Sequence, residues 1–314
     1  MNTGLDWPDA YRDVLPLLKQ KWDIDESIYL NRKLSGGKSG ALVYSVDITS
    51  KSYTGQAILK LDRADDPESL ERHEAALHER AIKDAPEFAA KHLPRLLHSF
   101  HHGDQLALLS DIAGRGLEYA QPWVDCSHDH QLEVVRQISK GLLEDWNADY
   151  RIKKGMQMPH ELLQGWLDHR IDPQRGGRIH SFLGDECGIP ADTPAILVDG
   201  HWYPNPLAFA LNAQPLPDRL QLRGAIGHCH CDFHGLNLLV GRPDGPDDGY
   251  YLIDLAMYES EQYLFYDHAY FELARLLFSR GDASADDWKA ILFQLGRFKH
   301  HEEPQGLRAG FKSS

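Results

Sequence analysis

Cysteine and long apolar runs are scarce in this 314-residue sequence. Cys126, Cys187, Cys229 and Cys231 are its cysteines, and the last two are too close together to suggest a disulfide framework. A reducing, cytoplasmic setting is therefore expected. Without a run of about 18 apolar residues, no transmembrane helix is predicted. Segment 1–11 lacks the basic and apolar regions of a signal peptide.

Basic residues are also scarce. The sequence has 33 lysines and arginines against 47 aspartates and glutamates, and its net charge is −14. A nucleic-acid surface needs a basic stripe, so none is expected. The acidity suits either a cationic substrate or a solvated acidic surface. With 42% hydrophobic residues the chain can bury a sizeable core, as about two domains or one two-lobed unit.

The first third of the chain has the pattern of β-strands. Apolar runs at 28–30, 42–48 and 56–61 are separated by the glycine cluster 35–40 and by a second turn. This order predicts an antiparallel meander. A further strand is expected at 105–110.

Lys60 stands inside an apolar strand. An edge lysine that faces solvent is one interpretation, and a lysine aimed at nucleotide phosphates is the other. The second role requires an acidic partner. A helix that starts at Asp66 and Pro67 supplies two candidates, because Glu74 lies about 40° from the centre of its apolar stripe and Glu71 about 100° away. We therefore predict a Lys60–Glu74 pair, with Glu71 in reserve.

The second half of the chain changes to a helical pattern near residue 130. Region 156–217 contains aromatic and proline residues and has no clear assignment. A short hairpin is predicted from 238–240 and 250–253, followed by an apolar helix. Asp267 opens that helix, as a cap or as an anchor for the backbone of the preceding loop.

The segment from His230 to Asn237 has the spacing His-x-Asp-x-x-x-x-Asn. The predicted hairpin ends in Asp254 and brings it beside Asn237. Two oxygen ligands from neighbouring segments suit Mg²⁺, which keeps waters and binds phosphates. Asp232 can take a proton from a hydroxyl. Together these residues are the equipment of a phosphotransferase, although a helix cap at Asp232 and a turn residue at Asp254 are the plainer alternatives.

The glycine cluster contains Gly37-Lys38-Ser39. A Walker A loop is excluded, because Arg32 stands where that pattern requires glycine and because strands flank the loop on both sides. A hairpin whose backbone N–H groups cover phosphates agrees better with the pattern.

A group of histidines and cysteines raises the alternative of zinc: His228, Cys229, His230, Cys231 and His234. Cys-x-Cys with interleaved histidines is not a tetrahedral structural spacing, and no second cysteine pair follows. Small buried residues beside a strand are the favoured interpretation of the two cysteines. His230 is interpreted as a brace for the loop.

The order of these features resembles the protein-kinase-like superfamily. Within it, the chain is more similar to the aminoglycoside phosphotransferase and choline kinase branch. His230 to His234 is similar to the His-Gly-Asp-Leu-His form of that branch, Leu255-Ala256 replaces the Phe-Gly of protein kinases, and no Ala-Pro-Glu follows. The matching segments are Leu34–Val43, Ala57–Lys60, Leu106–Gly114, His230–Val240, Leu252–Asp254 and Asp267–Glu272.

Two positions depart from the pattern of that branch. Cys231 replaces the usual glycine or arginine, and Leu236 stands where small or polar residues are common. Neither change removes a required group.

The resemblance implies an α+β, bilobal protein-kinase-like fold. Residues 1–110 would form a nucleotide-binding N-lobe, with an antiparallel sheet and one helix. Residues 111–314 would form a mainly helical C-lobe with the catalytic loop, the metal and the acceptor site.

The resemblance also implies ATP and Mg²⁺ as cofactors. Asp232 would be catalytic, and Asn237 and Asp254 would bind the metal. The implied cofactor-binding residues are Ser35, Gly37, Ser39, Gly40, Lys60, Glu74, Ser110 and Ile112.

The implied activity is transfer of the γ-phosphoryl group to a hydroxyl of a small-molecule acceptor. The alternatives are a protein serine/threonine kinase and a nucleotide-binding signalling module with little turnover. The expected partners are a nucleotide and an unidentified hydroxyl-bearing acceptor, with no nucleic acid and no membrane. Fusion to or association with other signalling domains also agrees with the resemblance.

Overall fold

The computed structural model is a mixed α+β structure, with ten helices and thirteen strands in the residues that it describes. The chain divides into two compact units, one of Met1–Ala148 with Gly227–Ser314 and one of Asp149–Ile226. The described residues are 5–24, 28–34, 40–51, 53–64, 73–114, 116–152, 158–167, 170–172, 174, 177–198, 200–211, 224–242, 245, 249–278 and 284–296.

A five-stranded antiparallel sheet forms the first part of the larger unit, in the order β1-β2-β3-β5-β4. The predicted meander and the strand at 105–110 are therefore confirmed. Because side chains alternate along a strand, β3 buries Ala57, Leu59 and Leu61 and turns Lys60 to the other face. The strands are β1 (Tyr29–Leu34), β2 (Leu42–Thr49), β3 (Thr54–Arg63), β4 (Leu96–His102) and β5 (Gln105–Ser110).

Two short helices, α1 (Asp9–Arg12) and α2 (Leu15–Lys21), contribute to the apolar core of this sheet. Leu18 and Trp22 are almost fully buried against the strands. The indole Nε1 of Trp22 donates to the carbonyl of Ser99 at 3.1 Å, so a large side chain at the end of α2 is also fixed to β4.

Between β3 and β4 lie two helices, α3 (Glu74–Asp84) and α4 (Pro86–His92). The predicted start of the first helix, at Asp66 and Pro67, lies outside the described residues, as does Glu71. Ala81 is buried on α3 as the wheel predicts, together with His78, whose Nε2 lies 2.8 Å from the carbonyl of Pro94.

The rest of the larger unit surrounds a second apolar core. Its predicted hairpin is confirmed, since β11 and β12 pair antiparallel, and β6 pairs with the other edge of β11. The predicted helical pattern near residue 130 is also confirmed, by a helix that continues into a π-helical turn at Gly141–Asp145. The elements are β6 (Ala120–Pro122), α5 (His128–Lys140), β10 (Ala225–Cys229), β11 (Leu238–Gly241), β12 (Tyr250–Leu252), β13 (Glu259–Tyr263), α9 (Tyr266–Phe278) and α10 (Ala285–Gly296).

The smaller unit includes the whole of region 156–217, which the sequence pattern left unassigned. Its core includes the buried residues Ile171, Leu183, Leu207 and Ala210. Asn205 begins its last helix, because its side chain accepts from the N–H of Leu207 at 3.0 Å. The elements are β7 (Arg151–Ile152), α6 (Pro159–Leu167), α7 (Arg178–Ser181), β8 (Ala195–Val198), β9 (His201–Pro204) and α8 (Pro206–Ala210).

The larger unit is closed by Asn147, next to the point at which the chain leaves it. The Asn147 side chain accepts from the N–H of His228 at 2.6 Å and donates to the His228 carbonyl at 3.0 Å. The exit and the re-entry of the chain are therefore bonded to each other. No helix in the described part of the chain is long and apolar enough to cross a membrane.

Candidate active site

Lys60 lies at the centre of a cluster of three charged side chains. Its Nζ donates to Oε2 of Glu74 at 2.5 Å and to Oδ1 of Asp254 at 3.0 Å. Lys60 comes from β3, Glu74 is the first described residue of α3, and Asp254 follows β12. The predicted Lys60–Glu74 pair is therefore present, and Asp254 shares its ammonium group.

The two carboxylates control the charge of Lys60. Burial alone would lower the pKa of this ammonium, but Glu74 and Asp254 raise it, and the net pKa lies above the usual range for lysine. Burial raises the pKa of Glu74, Lys60 opposes this shift, and Asp254 adds to it. Since two carboxylates share one ammonium, a further cation beside Asp254 would be favoured electrostatically.

Asp267 anchors the loop that carries the predicted catalytic residue. Its buried carboxylate accepts from the N–H of His230 at 2.7 Å and from the N–H of Cys231 at 2.9 Å. Cys231 has a φ of +62°, which is unfavourable for a residue with a side chain. Burial raises the pKa of Asp267, against the opposing effects of His230 and Cys231. The predicted anchoring role of Asp267 is therefore confirmed.

His230 fixes the same loop to the strand end that precedes Asp254. Its ring is fully buried, and Nε2 lies 2.8 Å from the carbonyl of Ile253. The N–H of Asp232 donates to Nδ1 at 3.4 Å, so the proton of a neutral ring belongs on Nε2. Both ring nitrogens have partners, which confirms the interpretation of His230 as a brace.

Asp232 lies between two side chains that hold its carboxylate. Tyr270, on α9, donates its hydroxyl to Oδ1 at 2.8 Å, and Nδ2 of Asn237 donates to Oδ2 at 3.2 Å. Nε2 of His234 is 3.6 Å from Oδ2. The Asp232 side chain keeps 36% of its surface exposed, so a substrate hydroxyl can still approach it.

Close packing explains why the loop contains an aromatic residue and a glycine after Asp232. Phe233 is buried and stacks on Phe271 of α9, with ring centroids 4.9 Å apart. At Gly235 a Cβ would come within 2.8 Å of the Trp123 ring. The loop therefore lies directly on the apolar core, and a larger side chain at Gly235 would displace it.

The predicted metal ligands, Asn237 and Asp254, are neighbours across the hairpin. The N–H of Ile253 donates to the carbonyl of Asn237 at 3.0 Å, immediately before Asp254. Asn237 also donates its Nδ2 to the carbonyl of Asp232 at 3.0 Å. The loop therefore orients this amide. Its Oδ1 is the side-chain atom of Asn237 that could bind a metal.

An Asn and an Asp oxygen fit a magnesium ion that arrives with phosphates. Mg²⁺ takes such hard ligands and completes its shell with waters and substrate oxygens. In the part of the chain that the structure describes, no group of three or more His, Cys, Asp or Glu side chains could hold a metal ion by itself. Asn237 and Asp254 therefore stay predicted metal ligands.

The predicted adenine contact lies at the end of β5. Ser110 pairs with Ile58 of β3 and with Leu96 of β4. The N–H of Ile112 donates to the side chain of Asp111 at 3.0 Å. A purine that uses the Ile112 N–H would have to displace that carboxylate, so the predicted contact stays a prediction.

The predicted phosphate-covering loop is described only at its end. Ser35, Gly37 and Ser39 lie outside the described residues. Gly40 has a φ of +85°, which favours glycine, and lies two residues before the start of β2.

The histidine and cysteine group has other partners than a metal. Nδ1 of His228 lies 2.9 Å from the hydroxyl of Tyr258. Burial raises the pKa of the Cys229 and Cys231 thiols well above the usual range, and the charge of Asp267 adds to the shift.

Tyr270 is the site residue that the sequence reasoning missed. It lies three residues after Asp267, and residues at that spacing share a face of a helix. If Asp267 anchors the loop, the same spacing predicts that Tyr270 also faces the loop and Asp232. This spacing can be found in the sequence, but its interpretation depends on the rotation of α9 about its axis.

Comparison of the chain with protein-family models gives no match, and comparison with curated proteins gives none. The resemblance to the protein-kinase-like superfamily therefore rests on the motifs and stays a prediction.

Proposed function

We propose that this chain is an ATP- and Mg²⁺-dependent phosphotransferase that acts on a hydroxyl of a small-molecule acceptor. The observation that carries the proposal is the arrangement of Lys60 with Asp254, 3.0 Å apart although they are 194 residues apart in the sequence. Asn237 is bonded to Asp232 through its side chain and, through its carbonyl, to Ile253, the residue before Asp254. A half-buried lysine, two oxygens that can bind a metal and a partly exposed carboxylate are what phosphoryl transfer requires.

Each side chain has a role in this proposal. Lys60, oriented by Glu74, would contact the nucleotide phosphates. Asp232, held at one oxygen by Asn237, would orient the acceptor hydroxyl and take its proton. When bound to Asn237 and Asp254, Mg²⁺ would neutralise charge on the phosphate oxygens.

The fold that goes with this proposal is the bilobal protein-kinase-like one, with residues 1–110 as the N-lobe and 111–314 as the C-lobe. It is supported by the antiparallel sheet that carries Lys60 and by the mainly helical character of the chain after β5. A cytoplasmic location is part of the same proposal.

A nucleotide-binding module with little turnover is the second candidate. The observation in its favour is that Tyr270 and Asn237 occupy one position on each oxygen of Asp232. A carboxylate oxygen has two acceptor positions, so an acceptor hydroxyl still has room. This favours the enzyme.

Two variants test the enzyme, because they separate binding from chemistry. In Asp232→Ala we expect nucleotide affinity to be kept and ADP release in the presence of acceptors to fall about a hundredfold or more. In Asp254→Ala we expect the Mg²⁺-dependent part of the affinity to be lost. Affinity is measured by calorimetry with ATP in Mg²⁺ and in EDTA, and turnover by ADP release over a panel of alcohols.

Asp286→Ala is the matched control, because this carboxylate is 95% exposed on α10. It should leave affinity and turnover unchanged. Wild-type rates from both site variants would contradict the assignment. Tight binding without ADP release across the panel would favour the module.

A further inference from the structure

The hydroxyl of Tyr270 already occupies the position that the proposed function gives to an acceptor hydroxyl. It donates to Oδ1 of Asp232 at 2.8 Å. A general base is expected about 2.6–3.2 Å from the hydroxyl that it deprotonates. The other oxygen, Oδ2, receives the amide of Asn237 instead. Tyr270 and Asn237 are therefore bonded to different oxygens of the same carboxylate.

Tyr270 is held there by the helix that carries it. Asp267, one turn earlier on α9, is bonded to the backbone of the catalytic loop. Phe271, the next residue, stacks on Phe233 of that loop, with ring centroids 4.9 Å apart. Both contacts fix the distance between α9 and Asp232, so the Tyr270 hydroxyl is positioned by the fold.

The predicted phosphate site is linked to Asp232 by Asn237. Asn237 joins the two, because its Nδ2 donates to Asp232 and its carbonyl accepts from Ile253, the neighbour of Asp254. In the proposed function a cation on Asn237 and Asp254 would hold the γ-phosphoryl group, and Asp232 would take the proton of the attacking hydroxyl. Tyrosine is among the side chains that act as nucleophiles in enzymes.

We propose that Tyr270 is itself a phosphoryl acceptor and that the chain phosphorylates its own Tyr270 hydroxyl from a nucleoside triphosphate. The proposal rests on the proposed function, because it uses the same base and the same nucleotide site. It adds the identity of one acceptor group.

The step is an in-line displacement. The O–H bond of Tyr270 breaks and its proton passes to Oδ1 of Asp232. A bond forms between the tyrosine oxygen and the γ-phosphorus, while the bond from that phosphorus to the β–γ bridging oxygen breaks. The leaving electron pair stays on the nucleoside diphosphate, and the product is phosphotyrosine.

The modification would limit itself. A phosphotyrosine carries roughly −1.5 to −2 charges at neutral pH, and here it would lie beside Asp232. It would repel a second triphosphate and block other hydroxyls from the base. The reaction should therefore stop at one phosphoryl group per chain, and the modified chain should transfer more slowly to added acceptors.

The test is intact-mass analysis of the full chain after incubation with Mg²⁺ and ATP, followed by peptide mapping. We expect one phosphoryl group, located on Tyr270. It should be absent from Tyr270→Phe and from Asp232→Ala. Tyr266→Phe is the matched control, since Tyr266 lies one turn earlier on α9 and its ring stacks on Tyr270 at 6.0 Å between centroids; it should be modified like the unaltered chain.

Reaction within one chain makes two further measurements decisive. The rate constant of modification should not change with protein concentration. When active chain is mixed with isotope-labelled Asp232→Ala chain, the labelled chain should stay unmodified. Modification of the labelled chain would overturn the proposal that each chain acts on itself.

The same samples separate failure of the inference from failure of the proposed function. If the chain releases ADP in the presence of an acceptor while Tyr270 stays unmodified, or if another residue is modified, the inference is overturned and the phosphotransferase stands. If the chain neither binds ATP nor releases ADP, the proposed function fails and the inference fails with it.

Discussion

At the scale of single residues, the site is marked by backbone conformations that side chains disfavour. Of the three non-glycine residues with positive φ in the described part of the chain, Cys231 and Asp254 belong to the site. Such conformations cost about 1–3 kcal/mol each and persist where surrounding contacts impose them. Here Asp267 holds Cys231, and Lys60 holds the side chain of Asp254.

Replacement of Asp267 should be severely destabilising. Asp267→Ala leaves two backbone N–H groups without their acceptor beside a strained Cys231, and each unsatisfied buried donor costs about 1–3 kcal/mol. We expect the free energy of unfolding, measured by urea titration, to fall by about 2–5 kcal/mol. Glu272→Ala, an exposed change on the same helix, should stay within about 0.5 kcal/mol of the unaltered chain. An equal effect of both changes would contradict the anchoring role.

The sequence predicts some of these residues better than others. The spacing of Asp232, Asn237 and Asp254 is local or hairpin-linked, and a helical wheel is enough to select Glu74. Tyr270 is different, because its role depends on the rotation of α9 against a loop far away in the sequence. The positive φ of Cys231 is imposed by the contact with Asp267. A cysteine in the sequence does not indicate such a backbone conformation.

At the scale of elements, the sequence pattern predicts the strands and helices whose buried residues recur with a regular period. β3 alternates buried and half-buried residues, and α3 has one apolar stripe. The π-helical turn Gly141–Asp145 could not be predicted in this way. It lies against Tyr250, whose hydroxyl is where a Cβ on Gly141 would be. The contact packs the turn after α5 against β12, and no local sequence pattern indicates it.

A pair of glycine-to-alanine changes tests this contact. Gly141 has helical backbone angles, so propensity alone favours Gly141→Ala by up to about 1 kcal/mol. A Cβ there would be 2.0 Å from the Tyr250 hydroxyl, so we expect a net loss of about 1–3 kcal/mol from overpacking. The control is Gly165→Ala on α6, where nothing lies within 4 Å. Thermal melting should show opposite signs, and stabilisation by both changes would refute the contact.

At the scale of the whole molecule, the sequence pattern does not predict the division into two units. Region 156–217 gave no assignment, because its core is small and its helices are short. Asp149–Ile226 nevertheless forms a unit of its own. The bonds between Asn147 and His228 that close the larger unit span 81 residues, and neither residue has a pattern that indicates its partner.

Three histidines that are buried or half-buried predict a loss of stability in acid. Burial lowers the pKa of His78, His92 and His98 below 6.5. Below about pH 6.5 the unfolded chain therefore binds protons that the folded chain does not bind. The free energy of unfolding has its full value above about pH 6.5 and falls as the pH drops towards the lowered pKa values. Each histidine contributes at most about 1.4 kcal/mol per pH unit.

His92→Phe isolates one of these contributions. His92 stacks on Tyr250 with centroids 4.0 Å apart, so an aromatic replacement keeps the packing, although the bond to the Tyr250 carbonyl is lost. Unfolding free energies from urea titrations between about pH 5 and pH 7 should have a smaller slope in the variant. Equal slopes would show that His92 does not titrate on unfolding.

The ion pair between Lys60 and Asp254 also has a consequence for synthesis of the chain. The two residues are 194 positions apart, and ribosomes would need roughly 10–40 s to cover that length at about 5–20 residues per second. The sheet with Lys60 pairs segments close in sequence, so it can form early, whereas the carboxylate from the hairpin arrives late. A product of interrupted translation that ends before Asp254 would keep the sheet but lack the ion pair between Lys60 and Asp254.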